Sequence, residues 1–231
     1  MIHWFVYKEE KGIFKMKKNG FTLAEVLITL AIIGVVATLT LPSLMTNTAE
    51  QQAVTGYRKA LNTLNEVGQM SAAVDGFDYS GISATMAPSA SASVIDDNGQ
   101  VKQTLWAMMS NRAQVDKTMS GTNVIKDGGC ASLSQIFFRD GTVLCYTDVA
   151  TNGSADTVIS GYIDTNGVKG PNKKSECKNK NCKPADRAIG DQFPVTLRGG
   201  VAMPGKVTVT GGVVAEGADS ETYAALWAMR K

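Results

Sequence analysis

The sequence has almost no histidine, since His3 is the only one among its 231 residues. This scarcity argues against a histidine-dependent triad, a Cys-His dyad or a metal site built from several histidines. The chain also has no large excess of either sign of charge: it has 23 basic and 21 acidic side chains and a formal net charge of +2. A strongly basic surface for nucleic acid is therefore not expected. Apolar residues make up 44% of the chain, enough to form a packed core.

An apolar run extends from Phe21 to Leu41, and Glu25 is its only charged residue. A helix of this length spans roughly 30 Å, the thickness of the hydrocarbon core of a bilayer. Three lysines lie at positions 15–18 before the run, and no basic residue follows it until Arg58. The positive-inside rule then places the N-terminus in the cytoplasm and the chain after residue 42 outside.

Three interpretations of this run compete: a cleaved secretory signal, a plain membrane anchor, and a helix that leaves the membrane to pack against copies of itself. A secretory signal is disfavoured because the run is long and its far side, TLTLPSL, has no A-x-A cleavage site. A plain anchor does not explain Glu25, because an acid in lipid costs about 1–3 kcal/mol and usually serves a partner.

The sequence KKNGFTLAE at positions 17–25, continued by the apolar run to Pro42, resembles the class III signal of type IV pilins and type II secretion pseudopilins. The resemblance implies that a prepilin peptidase cuts between Gly20 and Phe21 on the cytoplasmic side. It also implies that the same enzyme methylates the new amine of Phe21 and that the apolar helix is kept. Gly20 suits such a cut because it lets the backbone approach a protease closely.

Two further residues acquire roles from this resemblance. Glu25 would neutralise the N-terminal amine of a neighbouring subunit, and two opposite charges about 4 Å apart attract by roughly 4 kcal/mol at an effective dielectric of 20. The alternative for Glu25 is a carboxylate that reaches towards the membrane surface from the helix end. Pro42 would bend or locally melt the helix, or simply end the membrane span.

The family resemblance also implies partners and a location. The expected protein is a structural filament subunit and not an enzyme, made as a single-pass protein of the bacterial inner membrane with a periplasmic C-terminal domain. Its partners would be prepilin peptidase/methyltransferase, membrane lipid before assembly, an inner-membrane assembly platform, and like subunits or other pilins in a filament in the periplasm or at the cell surface. The competing class is a membrane-anchored periplasmic binding domain that does not polymerise.

The predicted organisation has four parts: a cleaved basic leader at 1–20, a transmembrane helix at 21–42, its amphipathic continuation at 43–75, and a globular domain at 76–231. Met16 is an alternative start that would give the short leader MKKNG. Apolar residues at three- and four-residue steps beyond position 42 predict one helix from about 22 to 74, bent near Pro42.

The globular part is predicted to be α+β, with the long helix packed on a small antiparallel sheet as in the pilin fold. A short helix is expected at 101–113, and a hairpin at 134–146 turns at Asp140-Gly141. Further strands are expected at 158–163, 193–197 and 207–214, and the segment 222–229 fits either helix or strand.

Four cysteines lie in the predicted extracytoplasmic part, where disulfides form. The pairs Cys130–Cys145 and Cys177–Cys182 are favoured because each closes a local loop, although pairings between the two regions stay open. A zinc site formed by all four is less suited, because the spacing lacks the usual C-x2-C knuckles.

A weaker resemblance to pseudopilin-like proteins lies in Asp164-x-Asn166-Gly-x3-Pro-Asn, followed later by Gly-Asp191-x-Phe. It implies a Ca²⁺ site with Asp164, Asn166 and Asp191 as candidate ligands, since hard cations prefer oxygen. The alternative is a network of Asx turns that ties the loop by hydrogen bonds. An insert, KKSECKNKNCKPADRAI, separates the two halves of the pattern; no other cofactor is expected.

Two other sequence patterns give little evidence about function. The basic segment 171–187 would suit an acidic partner or DNA, but it is more typical of a solvated loop, so nucleic acid is not expected as a partner. Gly200 to Lys206 fits G-x4-G-K, but Val207 stands where a phosphate loop needs Ser or Thr, and a strand pattern follows.

Overall fold

The computed structural model describes residues 20–89, 91–148, 157–177 and 187–205. By contacts, the chain divides into two units, Met1–Met45 and Thr46–Lys231. The predicted segments 207–214 and 222–229 lie outside the described residues.

A 52-residue α-helix, α1 (Leu23–Val74), begins in the first unit. Its part Leu23–Leu41 has a mean hydropathy of 2.3, and it is long and apolar enough to cross a membrane. The apolar side chains along this part are exposed. The helix continues through position 42, and the role of Pro42 stays a prediction.

The hydroxyl groups on this apolar part donate back to the helix's own backbone. Thr29 Oγ1 donates to the carbonyl of Val26 at 3.0 Å, and Thr38 Oγ1 donates to that of Val35 at 2.8 Å. A bonded hydroxyl costs far less to place in lipid than an unbonded one. These threonines are therefore compatible with a membrane span.

In the second unit, α1 buries one face. Tyr57, Ala60, Leu64 and Val67 are buried, and their spacing of three and four residues places them on one side of the helix, as the apolar periodicity predicts. Val54 and Leu61 are half-buried beside them.

The buried face of α1 packs against an antiparallel sheet. The Tyr57 ring stacks on Phe193 with 4.7 Å between ring centroids, and its hydroxyl donates to the Pro194 carbonyl at 2.9 Å. A Cβ at Gly68 would lie only 2.7 Å from the Gly200 carbonyl oxygen, so the helix approaches this turn closely because position 68 is glycine.

Among the described residues, the main sheet has six strands: β1 (Gly121–Thr122), β2 (Ser134–Phe137), β3 (Val143–Tyr146), β4 (Ile159–Asp164), β7 (Gln192–Arg198) and β8 (Val201–Pro204). They lie in the order β1-β2-β3-β4-β7-β8, and every neighbouring pair is antiparallel. Two short strands, β5 (Glu176–Cys177) and β6 (Arg187–Ala188), form a separate pair within the insert.

The predicted α+β arrangement is confirmed: an N-terminal apolar helix is followed by a short helix and an antiparallel sheet in a pilin-like layout. The hairpin turns as predicted at Asp140-Gly141, where Gly141 has φ +92° and Asp140 Oδ1 accepts from the Thr142 amide at 3.0 Å. The short helix α2 (Leu105–Arg112) begins later than predicted because Thr104 caps it, accepting from the Ala107 amide at 3.1 Å.

The described part of the segment that fits G-x4-G-K is mainly a strand. Its central residues Val201–Pro204 form β8, which follows β7 through the turn at Gly199-Gly200. Lys206 lies outside the described residues. The described part of this segment therefore has the strand conformation that excludes a phosphate loop.

The two faces of the sheet carry different side chains, because successive residues of a strand point to opposite faces. The register of the strands then places particular residues side by side in rows across the sheet. Ile136, Leu144, Ile163 and Phe193 are matched across four strands and belong to the main core with α1. The row Gln135, Cys145, Tyr162 and Pro194 is matched in the same way and lies on the opposite face, called the outer face below.

Candidate functional site

The predicted cleavage position lies just before the first helix. Residues 20–22 are outside the helix, which begins at Leu23. Phe21 is 87% exposed, and nothing lies within 4 Å of the position that a Cβ on Gly20 would occupy. The Gly20–Phe21 bond is therefore in an open, non-helical segment, which is the form of backbone that a protease can bind.

Glu25 and Thr22 form a reciprocal cap at the start of α1. Glu25 Oε2 accepts from the Thr22 amide at 2.8 Å and from the Thr22 hydroxyl at 2.9 Å. In return, the Glu25 amide donates to Thr22 Oγ1 at 3.2 Å. This is the capping box T-x-x-E, which satisfies two backbone donors that the helix itself leaves free.

The cap gives Thr22 a role that the sequence analysis missed, although the T-x-x-E spacing before an apolar run was a sufficient signal. It also holds the Glu25 carboxylate at the first turn of the helix, close to the predicted new N-terminus. Among the described residues, no basic side chain forms an ion pair with Glu25.

A disulfide fixes the outer face of the sheet. Cys130, at the end of a single turn of 3-10 helix (Gly128–Cys130), is bonded to Cys145 on β3, with 5.2 Å between the Cα atoms. This is one of the two pairings that the sequence analysis favoured. The other, Cys177–Cys182, lies outside the described side chains.

Two buried glutamines hold the same layer independently of the disulfide. Gln135 accepts from the Ile125 amide at 2.7 Å and donates to the carbonyls of Ile125 and Cys130, both at 2.8 Å. Gln192 accepts from the Gly129 amide at 2.6 Å and donates to Asp164 Oδ2 at 2.9 Å. We call the segment 123–133 the outer layer. The disulfide, Gln135 and Gln192 fix it to the sheet at three points.

The Asp164 carboxylate is fully buried and accepts three hydrogen bonds. Oδ1 accepts from the amides of Asn166 at 3.0 Å and Gly167 at 2.8 Å, and Oδ2 accepts from Gln192. Burial raises the pKa of Asp164 to about 6, aided by the nearby charge of Asp191 and opposed by these hydrogen bonds.

Asp191 closes the other end of the loop. Its Oδ2 accepts from the Asn172 amide at 2.8 Å, and its Oδ1 accepts from the Lys173 amide at 2.7 Å. The Asn172 side chain, oriented to satisfy its hydrogen bonds, donates to the carbonyls of Gly167 at 3.1 Å and Lys169 at 3.2 Å. The three predicted ligands thus lie in one hydrogen-bonded loop.

The hydrogen bonds of this loop are those of the Asx-turn alternative, and the calcium site stays a prediction. Ca²⁺ takes about six to eight oxygen ligands, usually several carboxylates among them. Here the four carboxylate oxygens of Asp164 and Asp191 each accept a hydrogen bond, and within the described ranges no three His, Cys, Asp or Glu side chains gather as a metal cluster. Asn166 Oδ1, buried without a partner, is the one free oxygen of the three candidate residues.

The layout is pilin-like: the chain has an exposed apolar helix with a capped acid at its start, and its second unit is an α+β domain. Residues 15–41 match the family model described as the prokaryotic N-terminal methylation motif. This motif is the processing signal of type IV pilins and pseudopilins, and it indicates a membrane-anchored, structural protein that prepilin peptidase processes. Neither the curated proteins nor the solved structures contain a match to the chain.

Proposed function

We propose that this protein is a structural subunit of a type IV pilus-like or type II secretion pseudopilus filament. Prepilin peptidase cuts it after Gly20 and methylates Phe21 on the cytoplasmic side of the inner membrane. The mature chain then leaves the membrane and assembles through its N-terminal helix with like subunits or other pilins. The filament lies in the periplasm or at the cell surface.

The observation that carries this proposal is the combination of an exposed apolar span with a single charged residue at its start. The side chains along Leu23–Leu41 need either lipid or other apolar helices around them, and both environments are available to a filament subunit in turn. Capping alone does not require the charge of Glu25, because glutamine fills the same capping-box position, and a carboxylate near the bilayer is unfavourable without a partner.

The capping box supports a specific role for Glu25. Both hydrogen bonds from Thr22 reach Oε2, which holds the carboxylate at the first turn and leaves Oε1 without a partner among the described atoms. The amine of a methylated Phe21 on a neighbouring subunit would bind there. One acid matched to one amine also fixes the axial register of the helices, because a shifted helix would leave both charges unpaired.

The test separates the charge of Glu25 from its capping hydrogen bonds. Glu25→Gln keeps a capping-box side chain and removes the charge, so we expect normal cleavage after Gly20 but at least a roughly tenfold loss of assembled filament, equivalent to about 1.4 kcal/mol. Thr22→Ser is the matched control, since it keeps the capping hydroxyl and the charge, and it should assemble normally.

The measurement is made in cells that contain the native assembly machinery, with and without prepilin peptidase. The mass of the N-terminal peptide reports cleavage and methylation, and the sedimenting fraction reports assembly. Normal assembly of Glu25→Gln would overturn the charge-pairing role. A chain that is never cut, or that never sediments in any variant, would instead favour the alternative of a membrane-anchored periplasmic domain that does not polymerise.

A further inference from the structure

One buried side chain, that of Gln192, connects the outer layer to the loop at 164–172. Its Oε1 accepts from the Gly129 amide at 2.6 Å, and its Nε2 donates to Asp164 Oδ2 at 2.9 Å. Nε2 also donates to the Asp127 carbonyl of the outer layer at 3.4 Å. Gln192 and Asp164 are both fully buried, so a lost partner is not replaced by water while the fold stays closed.

The backbone of the outer layer also lies directly against the loop. Gly128 has φ +71°, and a Cβ at this position would overlap both Gln192 Oε1 and the carbonyl oxygen of Asn172. Asn172 is held in the closed loop, because its amide donates to Asp191 Oδ2 at 2.8 Å. A movement of Gly128 away from the sheet would therefore uncover the Gln192 amide group and one side of the loop together.

The disulfide limits how far this part of the outer layer can move. Cys130 directly follows Gly129, so its bond to Cys145 keeps the Gly129 amide within reach of Gln192. Without the bond, only hydrogen bonds and apolar packing retain this end of the layer. Such contacts break in local openings, and each opening would free Gln192 to turn away from Asp164.

We propose that the Cys130–Cys145 disulfide and the closed loop at 164–172 are coupled through Gln192, as a redox-sensitive conformational device. Formation of the disulfide orders the loop. By linkage, opening of the loop makes the disulfide easier to reduce, and by the same factor. The device acts in whichever compartment is oxidising enough for the disulfide to persist.

The loop in turn rests on α1. A Cβ at Gly56 on the helix would lie 3.2 Å from Thr165 Cβ, and Thr165 Oγ1 donates to the Asp191 carbonyl at 3.1 Å. The redox state of the outer layer therefore reaches the face of α1 around Gly56, through contacts that all lie within the second unit.

The first test changes the loop and measures the disulfide. Asp191→Ala removes the acceptor of the Asn172 and Lys173 amides, neither of which belongs to the outer layer. The full chain in detergent is equilibrated with reduced and oxidised dithiothreitol. One dithiothreitol molecule closes to its cyclic disulfide for each protein disulfide that becomes two thiols.

All variants carry Cys177→Ala and Cys182→Ala, so that only Cys130 and Cys145 exchange with the reagent. We expect Asp191→Ala to shift the equilibrium constant towards the protein thiols by roughly tenfold. In a Gln192→Met background, which removes the hydrogen-bonding amide, Asp191→Ala should cause no further shift.

Leu64→Ala is the matched control, because it destabilises the main core and Leu64 is not in the apolar cluster beneath the outer layer. It should leave the equilibrium constant unchanged. The proposal is wrong if Asp191→Ala causes no shift, if Leu64→Ala causes the same shift, or if the shift persists without Gln192.

The second test changes the disulfide and measures the loop, so it does not depend on the folding of the Gln192 variant. Hydrogen exchange of the full chain is followed by mass spectrometry in peptides that cover 164–173. We expect roughly tenfold faster exchange there when Cys130 and Cys145 are both replaced by alanine, and no change in Leu64→Ala. Near-UV circular dichroism checks that the variants stay folded. Unchanged loop exchange in the cysteine variant, or equal acceleration in Leu64→Ala, would show that the disulfide does not control the loop.

Discussion

Replacing Cys130 and Cys145 together by alanine should lower the free energy of unfolding of the Thr46–Lys231 unit by about 3 to 5 kcal/mol. The two cysteines are 15 residues apart, and a disulfide that closes a loop of about 15 residues restricts the unfolded chain by about 3 kcal/mol. Both side chains are also fully buried, so the substitution removes packing as well. For a unit of this size the loss corresponds to a fall in Tm of roughly 10 °C.

The assay is denaturant unfolding of the full chain in detergent, followed by near-UV circular dichroism. Wild-type protein unfolded under reducing conditions serves as the control, because it should approach the stability of the double variant while the variant itself stays insensitive to reductant. A loss below about 1 kcal/mol would refute the reasoning. It would mean that Gln135 and Gln192 hold the outer layer without the disulfide.

Two further predictions concern the loop at 164–172. Because burial raises the pKa of Asp164 to about 6, the folded state binds more protons than the unfolded state between about pH 4 and pH 6. The free energy of unfolding should therefore fall by about 2 to 3 kcal/mol as the pH rises through this range. In unfolding curves measured at a series of pH values, Asp164→Asn should remove this dependence on pH. An unchanged dependence in the variant would assign it to another group. Because the loop is closed by hydrogen bonds, adding Ca²⁺ or a chelator should leave Tm unchanged, whereas a rise in Tm with Ca²⁺ that Asp191→Asn abolishes would establish the calcium site instead.

Local patterns were sufficient to predict several elements. The Asp140-Gly141 turn has its own chemistry, a left-handed glycine and an aspartate that accepts from Thr142, so the hairpin followed from a few residues. The buried face of α1 followed from apolar spacing alone. The short strands β1, β5 and β6 were missed, because two-residue strands have no period to detect.

The candidate loop was predicted less completely. The sequence brought Asp164, Asn166 and Asp191 together as a set, and the structure does place them in one loop. The Asx-turn alternative anticipated the amides of Asn166 and Gly167, which donate to Asp164 from two and three residues away. It did not indicate that Gln192 would donate to Asp164, or that the amides of Asn172 and Lys173 would donate to Asp191. Those donors come from chain segments far apart in sequence, so no local pattern contains them.

The sequence by itself determined the properties of the N-terminal segment at 20–41. These are an apolar run long enough to span a membrane, one acid at its start, and a glycine before Phe21. These properties are local, since each depends on residue type and spacing within about 25 positions. Only the tertiary structure decided the sheet order, the three-point attachment of the outer layer and the hydrogen bonds that Asp191 accepts from residues 172 and 173. Each of these requires contacts between distant segments, which form only when the helix and sheet bury their apolar faces against each other.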